Sequence, residues 1–267
     1  ISSTRRCDAV QLSVDGATPA IHDSLRGRGS FNDVMAGMEN LKRQSIPLDV
    51  QVTINKNNLK ELDDIAEFLL EEMGLSCFKT NSASYLGLCR NKSEELQLTV
   101  EEYMIAMSKL LKLNVKYNGR IRATAGPLSD AQRWMKMEIK RQDGIVSESD
   151  GGFLLSCKKP MSKIDVRADG VIVPCYYLSH KELGYIIQDD LQEIWQNSYD
   201  LNSFRNRRNI PLSEFEFCCD CDYISYCNGG CPATAFAITG GANNISPESC
   251  LKRFLENGGS LPNEVIH

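Results

Sequence analysis

Only three histidines and two tryptophans occur in the 267 residues. No stretch approaches the roughly 20 consecutive apolar residues that a membrane-spanning helix needs, so no membrane partner is expected. Positive charge is not in surplus either: 30 Lys+Arg stand against 35 Asp+Glu, for a formal net charge of −5. Phosphate neutralisation needs clustered cations, so nucleic acid is not an expected partner. No G-x-G-x-x-G follows a strand-like segment and no G-x-x-x-x-G-K-[ST] is present, which leaves nicotinamide and P-loop nucleotide chemistry unsupported. The chain opens at Ile1, without Met, signal peptide or transit segment, inside what soon reads as a strand. The expectation is a piece of a longer chain whose front is missing.

What is there is a globular composition, 42% hydrophobic and 24% charged, and an excess of cysteine. Disorder and collagen-like repeats are excluded by that balance. There are 11 cysteines, an odd number in a chain that is not small, so a secreted disulfide scaffold fits badly. Eight of them lie between Cys157 and Cys250, a segregation that points to metal or cluster ligation in a reducing compartment.

The first half alternates strand and helix patterns. Val10, Leu12 and Val14 share one face of a strand over Ala9–Val14, which ends at the Asp15-Gly16 turn. Ser30, with Asp33 three positions on, reads as the cap of a helix whose apolar stripe is Phe31, Val34, Met35, Met38 and Leu41. Leu48, Val50, Val52 and Ile54 alternate along a second strand. Asn58 is placed to cap a helix carrying Leu59, Leu62, Ile65, Ala66, Leu69 and Leu70, stopped by Gly74. A third strand is expected near Cys77–Thr80. Right-handed crossovers make such a sheet parallel, and open sheet and barrel both remain open at this point. Either way the chemistry belongs at the carboxyl ends of the strands, which here carry Ser13, Asp15, Asn55, Asn57, Asn58, Asn81, Ser82 and Ser84. Thr99, with Glu102 as box partner, caps a helix to Leu111. Asn114–Tyr117 and Arg120–Thr124 read as short strand-like pieces, and the stretch around Trp134 as a polar helix. The acidic, Gly-rich run 147–152 is the linker candidate and sets a boundary between residues 1–150 and 151–267.

The second half is a cysteine framework: Cys157, x17, Cys175, a gap of 42, then C-x2-C-x5-C-x3-C over Cys218, Cys221, Cys227 and Cys231, a gap of 18, and Cys250. A hairpin turning at Asp169-Gly170, between Ile164/Val166 and Val171/Val173, would bring Cys157 and Cys175 close together. Asp190 can cap a short helix bearing Leu191, Ile194 and Trp195, which would roof the site. A C-x2-C pair presents two thiolates from one turn, and a further pair completes a four-thiolate site. Zinc and iron–sulfur both accept that geometry, and spacing alone leaves them level. Cys219 would point away from the target of its neighbour Cys218. Cys7, Cys77 and Cys89 are isolated and read as small core residues.

All seven cysteines, with Gly170-Val-Ile-Val-Pro-Cys175 between the first two, resemble the SPASM domain of radical S-adenosylmethionine enzymes. Leu183-Gly184-Tyr185-Ile186 and Asn228-Gly229-Gly230-Cys231-Pro232 agree with it. Ser13-Val-Asp-Gly16, Ile21-His22-Asp23, Arg26-Gly27 and Gly29-Ser30-Phe31 resemble the fourth strand of the radical SAM barrel with its following loop and helix.

The resemblance implies an α/β fold, a partial (β/α)6 barrel over residues 1–150 followed by a small SPASM domain over 151–267 with two auxiliary 4Fe–4S clusters. Cys157, Cys175 and Cys231 would hold the first cluster, and Cys218, Cys221, Cys227 and Cys250 the second. Seven ligands for two clusters leave the first with an open iron or a borrowed ligand. The C-x3-C-x2-C motif of the catalytic third cluster and the Gly-Gly-Glu segment that holds the methionine amino group are both absent. The chain alone is therefore expected to be unable to cleave S-adenosylmethionine.

In the intact enzyme the family mechanism makes a 5′-deoxyadenosyl radical that abstracts a substrate hydrogen, with an electron donor such as flavodoxin or ferredoxin. The auxiliary clusters would accept the electron left after radical oxidation, or anchor the substrate. Ser13 and Arg26 are the candidate contacts to the cofactor's ribose or carboxylate, against the plainer readings of a strand-end hydroxyl and a surface arginine. A peptide or protein substrate is the first expectation, and a tetrapyrrole or other small molecule the second. Sulfatase-maturing relatives carry an Asp shortly after the Cys175 position, where this chain has Tyr176-Tyr177. Oxygen-sensitive clusters and the lack of an export signal imply a cytoplasmic location. A non-catalytic zinc-binding interaction module is the reading from a different class.

Overall fold

Strict alternation along Leu48–Ile54 buries Val50, Val52 and Ile54. Each such side chain contributes about 2 kcal/mol on burial, and a one-residue slip would expose all three together, so the pattern fixes the register. This strand, β2, pairs in parallel with β1 (Val10–Ser13) on one side and β3 (Phe78–Ser82) on the other, and β3 pairs in parallel with β4 (Ile121–Ala123). The order β1-β2-β3-β4 never reverses. A doubly wound sheet reverses at its switch point, so the sheet is one arc of a barrel wall.

The computed structural model describes residues 9–146, 151–155, 157 and 159–263. Cys7 and positions 147–150 of the linker candidate lie outside them. The chain divides into two compact units, one built from residues up to Ala83, Asn91–Met135 and from Gly258, the other from Ser84–Arg90 and Lys136–Asn257. Among the described residues no helix is long and apolar enough to cross a membrane.

In the first unit the connections are helical. After β1 come α1 (Pro19–Arg26) and α2 (Ser30–Arg43). Ser30 is the first residue of α2 and not its cap. Asp23 takes that role from seven positions upstream, accepting hydrogen bonds from the N–H groups of Gly29 (2.7 Å) and Phe31 (2.8 Å). These bonds hold the Asp23 carboxyl below its ordinary pKa. After β2 a 3-10 turn (Leu59–Glu61) leads into α3 (Leu62–Glu67) and a π-helical turn (Phe68–Glu72), which together bury the whole expected stripe from Leu59 to Leu70. Asn58 is not that helix's cap either, because its side chain is used at the strand ends described below.

After β3 come a short helix, α4 (Ser93–Leu96), and α5 (Val100–Lys116). The expected capping box is present on α5: Thr99 Oγ1 accepts from Glu102 N at 3.2 Å and Glu102 Oε2 accepts from Thr99 N at 2.9 Å. The helix runs through Asn114–Lys116, so the strand-like piece expected there is its last turn, with Leu113 buried. A final helix, α6 (Pro127–Gln142), follows β4 and buries Trp134.

The second unit has a short helix, α7 (Lys159–Ser162), then the hairpin β5 (Asp165–Val166) and β6 (Val171–Val173), turning at Gly170 with φ +88. A third strand, β7 (Gly184–Tyr185), adds antiparallel to β6. The helix expected after Asp190 is α8 (Leu191–Asn197), with Asp190 Oδ1 accepting from Glu193 N at 2.9 Å. It is followed by α9 (Tyr199–Asn206). Helices α10 (Pro232–Thr239) and α11 (Leu251–Glu256) each begin directly after a cysteine, Cys231 and Cys250.

Candidate iron–sulfur centre and strand-end site

A ladder of tight turns steps through the cysteine run. Cys218 N donates to Phe215 O, Cys221 N to Cys218 O, Ile224 N to Cys221 O, and Cys227 N to Ile224 O, at 2.8 to 3.2 Å. Each bond spans three residues, so the chain coils on itself and keeps its thiols together. Leu154, Leu212 and Cys218 form the core of this region, with Phe215, Phe217, Ile224 and Cys227 packed against them. Gly229 and Gly230, both at positive φ, let the chain pass from Cys227 to Cys231 in two left-handed steps, and Gly229 N donates to Cys227 Sγ at 3.4 Å.

Four thiols share one electrostatic neighbourhood. Burial pushes Cys218 up to about 12, and the like charges of Cys227, Cys250 and Cys221 add to it. Burial also raises Cys221 and Cys250, in both cases with Cys227 as a like-charge neighbour. This grouping is the set expected for the second cluster. For the first, Cys157 and Cys231 both act on one cation, Arg207. Cys175 stands half-buried at the end of β6, where Asp165 Oδ2 accepts from Tyr176 N at 2.7 Å and fixes the chain just beyond it. Cys219 is exposed and its Sγ donates to Glu216 O at 3.0 Å, turned to its own backbone. Cys77 and Cys89 are half-buried.

Among the described residues, no group of three or more His, Cys, Asp or Glu side chains has the geometry to hold one metal ion. A four-iron cluster is a cube of iron and sulfide, and its ligands stand farther apart than those around a single ion. The surroundings fit a sulfur-rich anion. Three buried donor atoms of this region, Arg207 Nε, Ser246 Oγ and Arg253 Nε, have no hydrogen-bond partner, and buried donors are normally satisfied.

The raised thiols make a pH prediction for the metal-free chain. Cys218 keeps its proton in the folded state, with its pKa raised from 9.0 to about 12, whereas the unfolded chain releases it near the ordinary value. The stabilisation is therefore complete below about pH 9 and lost as pH rises from about 9 towards 12. Urea unfolding of the metal-free protein should show a lower midpoint at pH 10 than at pH 7.5. Ligation must displace the same protons, so iron loading should improve with pH.

At the carboxyl ends of β1 and β2 a second polar group assembles. Asp15, 1% exposed, accepts from Arg26 Nε (2.5 Å) and from Thr53 N (2.6 Å), and its own N–H donates to His22 Nδ1 (3.0 Å). His22 is buried, and desolvation lowers its pKa, so the ring is neutral with its proton on Nε2. Asn58 Nδ2 donates to Asp15 O (3.0 Å) and Thr53 O (2.9 Å), and Asn58 Oδ1 accepts from Asn55 N (2.9 Å). Arg26 is thus anchored with its side chain 38% exposed, and Ser13 sits half-buried in β1 opposite Gln51. An anchored, partly open guanidinium at a strand end suits a carboxylate. Asp15 as its anchor was hidden in a turn signal.

The second unit also holds a cavity of 790 Å³ whose walls include Tyr85, Arg90, Tyr176, Tyr177, His180 and Phe236. His180 stacks on Phe236 with ring centroids 4.4 Å apart, and Tyr176 meets Tyr177 edge-on at 6.3 Å. Arg90 is exposed.

An arc of parallel strands followed by a cysteine-rich region makes the chain similar to radical S-adenosylmethionine enzymes with a SPASM domain. Residues 157–222 match the SPASM family, described as an iron–sulfur cluster-binding domain. Among curated relatives, the AdoMet-dependent heme synthase of Methanosarcina barkeri (strain Fusaro / DSM 804) is 26% identical over 235 residues, covering 86% of this chain and 64% of the relative. The PqqA peptide cyclase of Ruegeria pomeroyi is 22% identical over 240 residues, covering 87% of this chain and 58% of the relative. The chain thus spans about three fifths of the length of these relatives. Among solved structures, native anSMEcpe with bound AdoMet and Kp18Cys peptide superposes with a TM-score of 0.59 at 19% identity, covering 94% of this chain and 67% of that one.

Proposed function

We propose that this chain is part of a radical S-adenosylmethionine enzyme that modifies a peptide or protein substrate, with two auxiliary 4Fe–4S clusters in its second unit. Cys157, Cys175 and Cys231 hold the first, with an open iron or a borrowed ligand, and Cys218, Cys221, Cys227 and Cys250 hold the second. The observation that carries this reading is the grouping of those last four thiols, Cys218 buried and the other three half-buried, in a region with unpartnered buried donors. When bound, S-adenosylmethionine supplies a 5′-deoxyadenosyl radical for hydrogen abstraction, and the clusters supply an acceptor for the remaining electron. Arg26, at the end of α1 and held by Asp15, binds the cofactor carboxylate, and Ser13, the last residue of β1, is the second contact to the cofactor. Tyr176 and Tyr177, following Cys175, line the cleft for the substrate, with Arg90 at its wall. An electron donor such as flavodoxin or ferredoxin and a cytoplasmic location complete the proposal. Because the C-x3-C-x2-C triad is not in these 267 residues, cleavage of S-adenosylmethionine is not expected from this chain alone.

Peptide modification is supported by relatives such as the PqqA peptide cyclase and the sporulation killing factor maturation protein SkfB of Bacillus subtilis (strain 168). A tetrapyrrole substrate is the second reading, supported by heme synthase relatives in three organisms. The test of the cluster reading is iron, sulfide and zinc content with an absorption spectrum, on protein purified without oxygen. About eight irons and eight sulfides per chain, with broad absorption near about 400 nm, are expected. Colourless protein holding only zinc after anaerobic reconstitution would leave a zinc-binding interaction module in its place.

A further inference from the structure

Arg207 is 3% exposed, and no ion pair forms with it among the described residues. Its Nε has no partner, and its Nη2 makes one long bond, 3.4 Å, to Asn244 O. A buried cation without an anion is among the costliest arrangements a protein can hold, so such a side chain implies a negative charge beside it.

The backbone shows where that charge must be. The turn carrying Arg207 closes with Ile210 N donating to Arg207 O, and Ile210 O then accepts from Leu154 N at 3.1 Å. Leu212 N donates to Gly152 O at 2.8 Å, and Phe153 bridges Pro211 antiparallel. Arg207 is thereby clipped to the segment that leads to Cys157. On its other side Asn244 precedes Ser246, whose N–H donates to Gly229 O at 2.8 Å, tying that loop to the turn that ends at Cys231. The anionic groups in reach are thus the sulfurs of Cys157 and Cys231, once ligated, and whatever they hold. Arg253 repeats the motif at the other group. Its guanidinium lies over the Phe217 ring at 4.6 Å, its Nε is buried without a partner, and it sits three residues after Cys250.

We infer that Arg207 donates its Nε–H to a sulfur of the group bound by Cys157 and Cys231, and by its charge raises that group's reduction potential. This rests on the iron–sulfur reading. A thiolate-ligated 4Fe–4S cluster gains a negative charge on reduction, and a fixed cation with a hydrogen bond to sulfur favours the reduced form. Arg207 is a positioning and tuning residue and not a ligand. Arg253 is its counterpart for the Cys218, Cys221, Cys227 and Cys250 group.

The test is a redox titration followed by electron paramagnetic resonance, on the chain reconstituted without oxygen, using dithionite as the one-electron reductant. In Arg207→Gln the iron content should match the unmodified chain. At a fixed poise the ratio of reduced to oxidised first cluster should fall about tenfold, equivalent to about 59 mV for one electron, while the second cluster is unmoved. Arg253→Gln should move the second cluster and leave the first. Iron-loaded Arg207→Gln with both potentials unchanged overturns the inference alone. An unmodified chain that holds only zinc overturns the iron–sulfur reading and this inference with it. Should Arg207→Gln fail to load iron, Arg253→Lys protein carrying guanidinium-15N arginine decides by pulsed resonance. A 15N coupling to the reduced first cluster supports the inference, and its absence overturns it.

Discussion

Replacing Cys227 by serine should cut the iron of the reconstituted chain from about eight atoms to about four, with labile sulfide falling in step. Cys227 is the thiol that the other three of its group have in common as a like-charge neighbour. It closes the last turn of the ladder and receives the Gly229 N–H on its sulfur. A serine oxygen is a harder and far more basic donor than a thiolate, and its shorter bond draws it back into the apolar cluster of Leu154, Leu212 and Phe215. The first group is not touched by the change, so half of the iron should remain. The matched control is Cys219→Ser, one residue from Cys218. That thiol is exposed and spent on Glu216 O, so iron should be unchanged. Iron and sulfide assays on both variants decide the point. Retention of about eight irons in Cys227→Ser would remove Cys227 from the ligand set.

The features readable in advance are those whose cause is local in sequence. Alternation along Leu48–Ile54, the Thr99–Glu102 box, the Asp190 cap and the Asp169-Gly170 turn each need only residues within a few positions of one another. The cysteine spacing belongs to the same class, because a run of three-residue turns is what makes x2 and x5 intervals converge. What stayed hidden has causes that lie elsewhere in the fold. Ser30 has the composition of a cap, but Asp23 reaches the helix start first because α1, a helix absent from the sequence pattern, folds it back onto α2. Asn58 looks like a cap until Asp15 and Thr53 offer it backbone carbonyls across the strand ends. Asn114–Tyr117 has strand-like composition, yet burial of Leu110, Leu111 and Leu113 carries the helix through it.

The candidate site divides along the same line. Its candidate ligands were legible and its electrostatics were not. Arg205-Asn206-Arg207-Arg208 reads as a solvated charge run, and nothing in the run distinguishes the third residue. Arg205 is turned over the Trp195 ring at 4.5 Å, while Arg207 is the one taken inside. Likewise Asp15 reads as half of a turn signal, and only the parallel pairing of β1 with β2 reveals that it anchors Arg26 and Thr53. Segment 84–90, next to β3 in sequence, is grouped with the second unit. Its Tyr85 N–H is taken by Glu248 Oε1 at 2.7 Å, a bond across 163 residues that no periodicity encodes.

Gly151→Ala should be the most damaging single-methyl change in the cysteine framework. The residue reads as linker, at the end of an acidic, Gly-rich run, yet it is buried. A Cβ there would lie 2.5 Å from Cys227 O and 2.6 Å from Cys227 N and from Tyr226 C. All three are backbone atoms, so no side-chain rotation relieves the overlap. The chain must part, which breaks the 2.8 Å bond from Gly152 N to Cys227 O and moves the Cys227 thiol out of its group. Overpacking of this kind costs about 3 kcal/mol, and iron should fall to about four per chain together with the unfolding midpoint. Gly152→Ala separates the steric cause from general fragility of the segment. Gly152 is at φ +89 with open space around its would-be Cβ, so alanine adds about 1 kcal/mol of backbone strain and should leave the iron at about eight. Iron content and urea unfolding measured side by side test the pair. Equal losses in both variants would mean that conformation, and not contact with Cys227, is what these glycines supply. Loss confined to Gly151→Ala would place residues 151–155 against Cys227 itself and make them part of the cluster's wall.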